Sequence, residues 1–304
     1  MKILLAGATG AIGRAIVRQL RAGDHEVIGM VRSDDAAEAL AKAGAGAVKA
    51  DVLDAQSVRD ALLRVRPDVI INQLTALPKH YTSADMQAAA EGDRRLRVTG
   101  HANLLAGAEA AGVSRYILQS AAFWYAPGAG SADEKEPFAF DATPGIAAGT
   151  RTYASLESEL FQNTRLQGVA LRYGFFYGPG TWFNTDADVG ERVREGKVPV
   201  IGQGEGLWSF IHIDDAAAAT VLALRSNPGA YNVVDDQPSE QRVWLPAFAR
   251  FVNAPEPPRV TEKQAEEVAG SDTVYYATRL RGASNAKAKR ELGFRPRAFE
   301  WFSS

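Results

Sequence analysis

The chain has 304 residues, with Lys+Arg 34 against Asp+Glu 36 for a net charge of −2, and it has no cysteine. That balance leaves no basic excess for a nucleic-acid backbone, and the missing cysteines exclude disulfides and thiolate chemistry. No apolar run approaches the ~20 residues of a membrane span, and Met1–Ala6 runs directly into a glycine loop with no room for a signal peptide, so the expected location is the cytoplasm.

Short β-rich runs at residues 3–6, 26–31, 47–50, 69–72, 116–120 and 169–173 alternate with helical patterns at 12–22, 36–43, 55–65, 93–111 and 152–167. This alternation predicts an α/β fold, a doubly wound parallel sheet with helices on both faces. Beyond Tyr173 the rhythm breaks at Gly178-Pro179-Gly180 and at Gly202-Gln203-Gly204-Glu205-Gly206. A late run at 231–234 is expected to return to the sheet. Residues 1–173 plus about 207–234 are therefore read as a dinucleotide-binding domain. Residues about 174–206 and 235–304 are read as a smaller, interleaved substrate-binding lobe.

Gly7-Ala8-Thr9-Gly10-Ala11-Ile12-Gly13 lies between the first strand and the first helix. Glycines there let the turn reverse tightly and the backbone approach a pyrophosphate, while the helix N–H groups face the anion. Gly7, Thr9, Gly10, Ala11, Ile12 and Gly13 are thus candidate cofactor contacts. An acid at the end of the second strand would hold the ribose hydroxyls of NAD. Arg32 stands there instead, followed by Ser33, which favours the 2′-phosphate of NADP; NAD remains the alternative through Asp34 or Asp35.

With Asp51-Val52, Tyr153, Leu171-Arg172-Tyr173, Tyr177-Gly178-Pro179-Gly180, Phe210-Ile211-His212-Ile213-Asp214-Asp215 and Glu291-Leu292-Gly293-Phe294, the glycine loop makes an ordered set along nearly the whole chain. The set resembles the extended short-chain dehydrogenase/reductase family, which has a Rossmann fold and includes sugar-nucleotide epimerases and dehydratases. The resemblance implies further cofactor contacts at Asp51 and Val52, at Leu74, Thr75 and Ala76 after the fourth strand, and at Tyr173. It also implies a tyrosine that exchanges the substrate proton, a lysine four residues later, a serine and an asparagine. Tyr153 is the tyrosine, but the lysine position holds Glu157, the serine position Ala121 with Ser120 one residue early, and the asparagine position Arg97. Tyr153, Glu157 and Ser120 are the candidate catalytic residues. On a helix Glu157 falls on the same face as Tyr153, where its charge is expected to raise the phenol's pKa, and it is a candidate to bind the nicotinamide ribose.

The positions at which relatives of that kind grip a substrate diphosphate hold Phe175 and Trp208. With Tyr81, Phe123, Trp124, Phe176 and Trp182 they form the candidate substrate-binding set, suited to an apolar or aromatic small molecule. No two histidines have metal-ligand spacing, so no metal is expected. Three readings follow. One is an NADP-dependent oxidoreductase of a largely apolar carbonyl or alcohol; another is a silent NAD(P)-binding sensor or scaffold; the last is a sugar-nucleotide epimerase or dehydratase. No nucleic-acid or membrane partner is expected. A homodimer is, through Leu96, Leu104, Leu105, Leu156, Leu160 and Phe161. If Arg32 reads the 2′-phosphate, Arg32→Ala should weaken NADPH binding by about 1.5–3 kcal/mol and leave NADH nearly unchanged, as titration calorimetry would show.

Overall fold

The computed structural model describes residues 1–302. Its centre is a seven-stranded, wholly parallel sheet made of β1 (Lys2–Ala6), β2 (Glu26–Val31), β3 (Gly46–Lys49), β4 (Val69–Asn72), β5 (Arg115–Ala121), β6 (Gln167–Tyr173) and a last strand, Gly229–Val233. The spatial order runs from the last strand through β6, β5, β4, β1 and β2 to β3. Ile3 lies between Val27 and Val69, so the winding reverses beside β1, where open sheets of this kind bind ligands at their carboxyl edge. Tyr231 pairs with Leu171, which brings the late strand back to the sheet as the sequence predicts.

Five helices cross between the first six strands: α1 (Ala11–Ala22), α2 (Asp34–Lys42), α3 (Ala55–Val65), α4 (Ser83–Ala111) and α5 (Pro144–Gln162). Two depart from the sequence reading. Helix α4 starts ten residues before 93, because Thr82 caps it by accepting from the Asp85 N–H at 3.1 Å. Helix α5 starts at Pro144, where a proline costs no hydrogen bond, and ends at Gln162 instead of 167. There the Asn163 side chain accepts from the Arg165 N–H and turns the chain into β6.

Alternate residues of the strands feed two cores. Ile3, Leu5, Val169 and Leu171 pack with Ile16 and Leu20 of α1 and with Ala216 and Ala219 of a helix at Ile213–Leu222. Leu4, Ile70 and Tyr116 pack on the other face with Leu62, Leu104, Leu156 and Leu160. Leu104, Leu105, Leu156 and Leu160 are therefore buried within the chain, and Phe161 is the exposed member of the set read as a subunit interface. A third core, built from Phe175, Phe183, Trp208, Phe210, Trp244, Phe248, Phe299 and Trp301, holds the smaller lobe together. Among the described residues no helix is long and apolar enough to cross a membrane, and no cluster of His, Asp or Glu could hold a metal.

Two glycines position the first loop. Gly7 has φ +84°, and a Cβ on it would overlap the Gln73 carbonyl; a Cβ on Gly13 would overlap the Gly7 carbonyl. Gly7→Ala should cost at least about 1–3 kcal/mol through the left-handed backbone alone. Gly92→Ala on α4, whose added methyl meets nothing within 4 Å, should instead stabilise by about 0.5–1 kcal/mol. Urea unfolding of the two variants checks both signs.

Candidate active site

Helix α1 is capped by Gly10, so no side chain satisfies its first N–H groups, and its first turn carries no acid. Those free donors at the carboxyl edge of β1, with a loop of glycines in front of them, fit a diphosphate. Thr9, Gly10 and Ala11 are exposed around this end, while Ile12 faces the core. Arg32 is exposed at the end of β2 and makes no ion pair among the described residues; Ser33 caps α2 by accepting from the Ala36 N–H at 3.3 Å. Asp34 is already paired with Lys49 at 3.0 Å, which reduces its availability for a ribose.

Asp51 accepts from the Leu53 N–H at 3.0 Å, and the Val52 carbonyl accepts from Asn103 at 2.8 Å, so the turn after β3 is fixed at the same edge. Behind β4 the Asn72 side chain accepts from the Leu74 N–H at 3.0 Å, and Asp93 of α4 accepts from the Ala76 N–H at 2.6 Å. Thr75 is held between these two anchored residues. Tyr173 is placed differently. Its buried hydroxyl meets Thr220 at 2.7 Å and accepts from Gln73 at 3.3 Å, bracing the residue against which Gly7 packs.

The candidate catalytic residues separate into two environments. Tyr153, 8% exposed, faces Trp124 with ring centroids 5.4 Å apart, and the Arg97 guanidinium stands 5.0 Å from its ring centre. Burial, and to a smaller extent Asp93, push the phenol above its ordinary pKa, while Arg97 pulls it down. Glu157 is turned elsewhere. One carboxylate oxygen accepts from Ser120 at 2.5 Å and from Arg172 Nε at 2.8 Å, and the other accepts from the Arg172 Nη2 group at 2.6 Å. The anion that the sequence places against Tyr153 is thus bound to β5 and β6, and the rise in the phenol comes from burial instead. Ser120 is drawn into the same buried pair. Arg172 also donates to the Tyr125 hydroxyl at 2.8 Å, which donates to Asn232 at 2.7 Å, so the network closes on the last strand.

An aromatic wall continues from Tyr153. Trp124 meets Phe123 edge-on at 5.0 Å, Phe123 stacks on Phe175 at 4.4 Å, and Phe175 meets Trp208 at 4.3 Å. Tyr276 completes the wall, accepting from the Trp124 indole at 2.9 Å. It comes from a helix at Glu262–Thr278, and no motif in the sequence points to it. Phe175 and Trp208 are also part of the lobe core, so they shape the wall from within. Tyr81 and Trp182 pair at 4.8 Å next to Phe183. Phe176 faces away, against Tyr173 at 5.3 Å and the sheet core. The Trp124 indole packs closely against α5 because Gly149, one turn before Tyr153, has no side chain: a Cβ there would overlap the outer edge of the ring.

A loop over this edge is fastened to the smaller lobe. His80 meets Asp188 at 2.9 Å, the Tyr81 N–H donates to the same carboxylate at 2.8 Å, and the Trp182 indole donates to the Lys79 carbonyl at 3.1 Å.

The side chains of Glu157 and Arg172 are 5% and 7% exposed and form an ion pair at 2.6 Å. Breaking a buried pair by removing one partner costs about 3–5 kcal/mol, because the other charge is left unanswered. Glu157→Lys should therefore destabilise by at least that amount, as it sets two cations together. The joint replacement Glu157→Leu, Arg172→Met should cost much less than either change alone. Chemical denaturation of the parent and the four variants gives the comparison.

The chain resembles known proteins in sequence and in fold. A 3-diazoavenalumate denitrifying reductase from Streptomyces sp is 40% identical over 304 residues, covering 99% of this chain and 98% of that protein. A 2-alkyl-3-oxoalkanoate reductase from Stenotrophomonas maltophilia is 27% identical over 266 residues, covering 84% of this chain and 77% of that protein. Among solved structures, a UDP-glucose 4-epimerase from Thermus thermophilus in complex with NAD superimposes with a TM-score of 0.75 at 23% identity, over 99% of this chain and 96% of that one, which bears on the fold. The model of the NAD dependent epimerase/dehydratase family matches residues 3–234. Fold, glycine loop and full-length similarity agree: the chain belongs to the NAD-dependent epimerase/dehydratase family.

Proposed function

We propose that this protein is a nicotinamide-dependent reductase of a planar, largely apolar small molecule, with NADPH as the favoured donor. The observation that carries the reading is the placement of Tyr153. It is a buried phenol in an aromatic wall at the same sheet edge as the uncapped α1 terminus. Gly7, Gly10, Gly13 and the first N–H groups of α1 would hold the dinucleotide's phosphates, and Arg32 with Ser33 a 2′-phosphate. A reduced nicotinamide held there would supply a hydride. Tyr153, its pKa raised by burial, is protonated at neutral pH and so acts as an acid. A substrate carbonyl takes the hydride at carbon and the Tyr153 proton at oxygen, which balances the reduction to an alcohol. The wall of Phe123, Trp124, Phe175 and Tyr276 offers area to a flat ring and few donors to a diphosphate, which favours this reading over a sugar nucleotide.

The full-length similarity to a reductase named for a diazo compound supports a second reading within the same class. On an arenediazonium ion, hydride replaces the departing dinitrogen and no proton is required. The two substrate types thus make different demands on Tyr153. NADPH oxidation would be followed by absorbance with a panel of aryl aldehydes, quinones and arenediazonium salts. Reduction of a carbonyl should fall about 10²–10⁴-fold in Tyr153→Phe with NADPH affinity unchanged. Diazonium reduction should survive that change. No NADPH consumption with any of these compounds would leave the silent-binder reading in its place.

A further inference from the structure

Position 157 supplies no cation to Tyr153, yet a cation is present. Arg97 reaches the phenol ring from α4, the neighbouring helix, and is 6% exposed. Its Nε donates to Asp93 at 2.6 Å, and the other oxygen of that carboxylate accepts from the Ala76 N–H. The guanidinium is thus fixed at one corner. Its terminal nitrogens donate no hydrogen bond among the described residues. Arg97 also lines a cavity of about 10 Å³ with Asn72, Leu74, Leu118, Gln119 and Leu156. That is room for about one water, and the Gln119 side-chain oxygen there has no protein partner.

The groups facing Tyr153 are few. Helix α4 presents Arg97 and Asp93, the Glu262–Thr278 helix presents the neutral Tyr276 phenol, and α5 itself presents no charge, since both Glu157 oxygens are taken by Arg172. Arg97 outweighs Asp93 at the phenol. Without it, burial and Asp93 would act alone, both against ionisation. A guanidinium stacked on an aromatic face also fixes the ring.

We propose that Arg97 is a positioning residue that supplies, from α4, the fixed positive charge on Tyr153 that α5 does not carry. Arg97 acts through Tyr153, so its catalytic consequence rests on the reading of Tyr153 as the proton donor. Its effect on the phenol does not depend on turnover. Because Asp93 grips both Arg97 and the Ala76 backbone, the charge is also tied to the loop after β4.

The test uses full-length protein labelled with [ζ-¹³C]tyrosine, the Tyr153 resonance being identified by its loss in Tyr153→Phe. The pH titration of that resonance is compared in the parent, Arg97→Gln and Arg97→Lys, with thermal melting to confirm that each variant is folded. The expected result is a midpoint about one to three pH units higher in Arg97→Gln than in the parent, with Arg97→Lys restoring most of the difference. An unchanged midpoint in Arg97→Gln overturns the proposal, as does a parent Tyr153 that never ionises before alkaline unfolding. A Lys variant that behaves like the Gln variant would reduce Arg97 to a packing role. In the aldehyde assay the alkaline limb of the reduction rate should move upward in the same order. If the resonance shifts but no aldehyde, quinone or diazonium salt is turned over, Arg97 is as proposed and the reductase reading fails. If Tyr153→Phe abolishes reduction while the Arg97 variants leave the midpoint unmoved, only the proposal for Arg97 fails.

Discussion

The buried pair between Glu157 and Arg172 is the constraint around which the rest of this edge is arranged. Two charges taken out of water need each other and need their remaining hydrogen-bonding capacity filled. Here Ser120, Tyr125 and the Glu134 carbonyl complete the set, and the Arg172 guanidinium also lies 4.3 Å from the Phe138 ring centre. The pair joins α5 to β6 and, through Tyr125 and Asn232, to the last strand. Tyr153 rides on the same helix one turn earlier, so its height above the sheet is set by a charge that never touches it.

This arrangement decouples two roles that one basic residue on α5 would combine. Anchoring the helix falls to Glu157, and the charge beside the phenol falls to Arg97 from another helix. The phenol is then tuned by groups on α4, an element that also fixes the loop after β4 through Asp93. The loop itself is fastened to the smaller lobe at Asp188. Phenol, loop and lobe are therefore linked by one chain of contacts.

The parallel sheet and the glycine loop were legible because their signals are local: short β-rich apolar runs, buried almost throughout, and glycines between a strand and a helix. The first turns of α4 and α5 were not. Ser83–Gly92 carries alanines and polar residues with little apolar period, and its helix is held by a Thr82 cap and by a Ser83 hydroxyl contact to Thr273 at 2.8 Å, a residue far along the chain. The partner of Glu157 escaped for the same reason. Spacing i, i+4 on α5 places it near Tyr153, but a lone carboxylate follows the nearest buried cation, and Arg172 stands on a strand 15 residues away. Arg97 was visible only as a departure from an asparagine. That it reaches the tyrosine depends on how α4 lies against α5. Phe123, Trp124, Phe175 and Trp208 could be proposed as a group because they cluster at loop ends, whereas Tyr276 arrives from a helix with no recognisable pattern.

Gly149 gives the aromatic wall a hereditary signature. The Trp124 indole occupies the volume that any side chain at 149 would need, so the two positions cannot drift independently. A lineage that gains a methyl on that turn of α5 must lose or tilt the tryptophan, and with it the Tyr276 phenol that the indole holds. Among divergent sequences, a glycine four places before the tyrosine paired with a tryptophan soon after the fifth strand thus marks those that have kept this aromatic packing. Chains with alanine or a larger residue at that turn must present a differently shaped aromatic surface there.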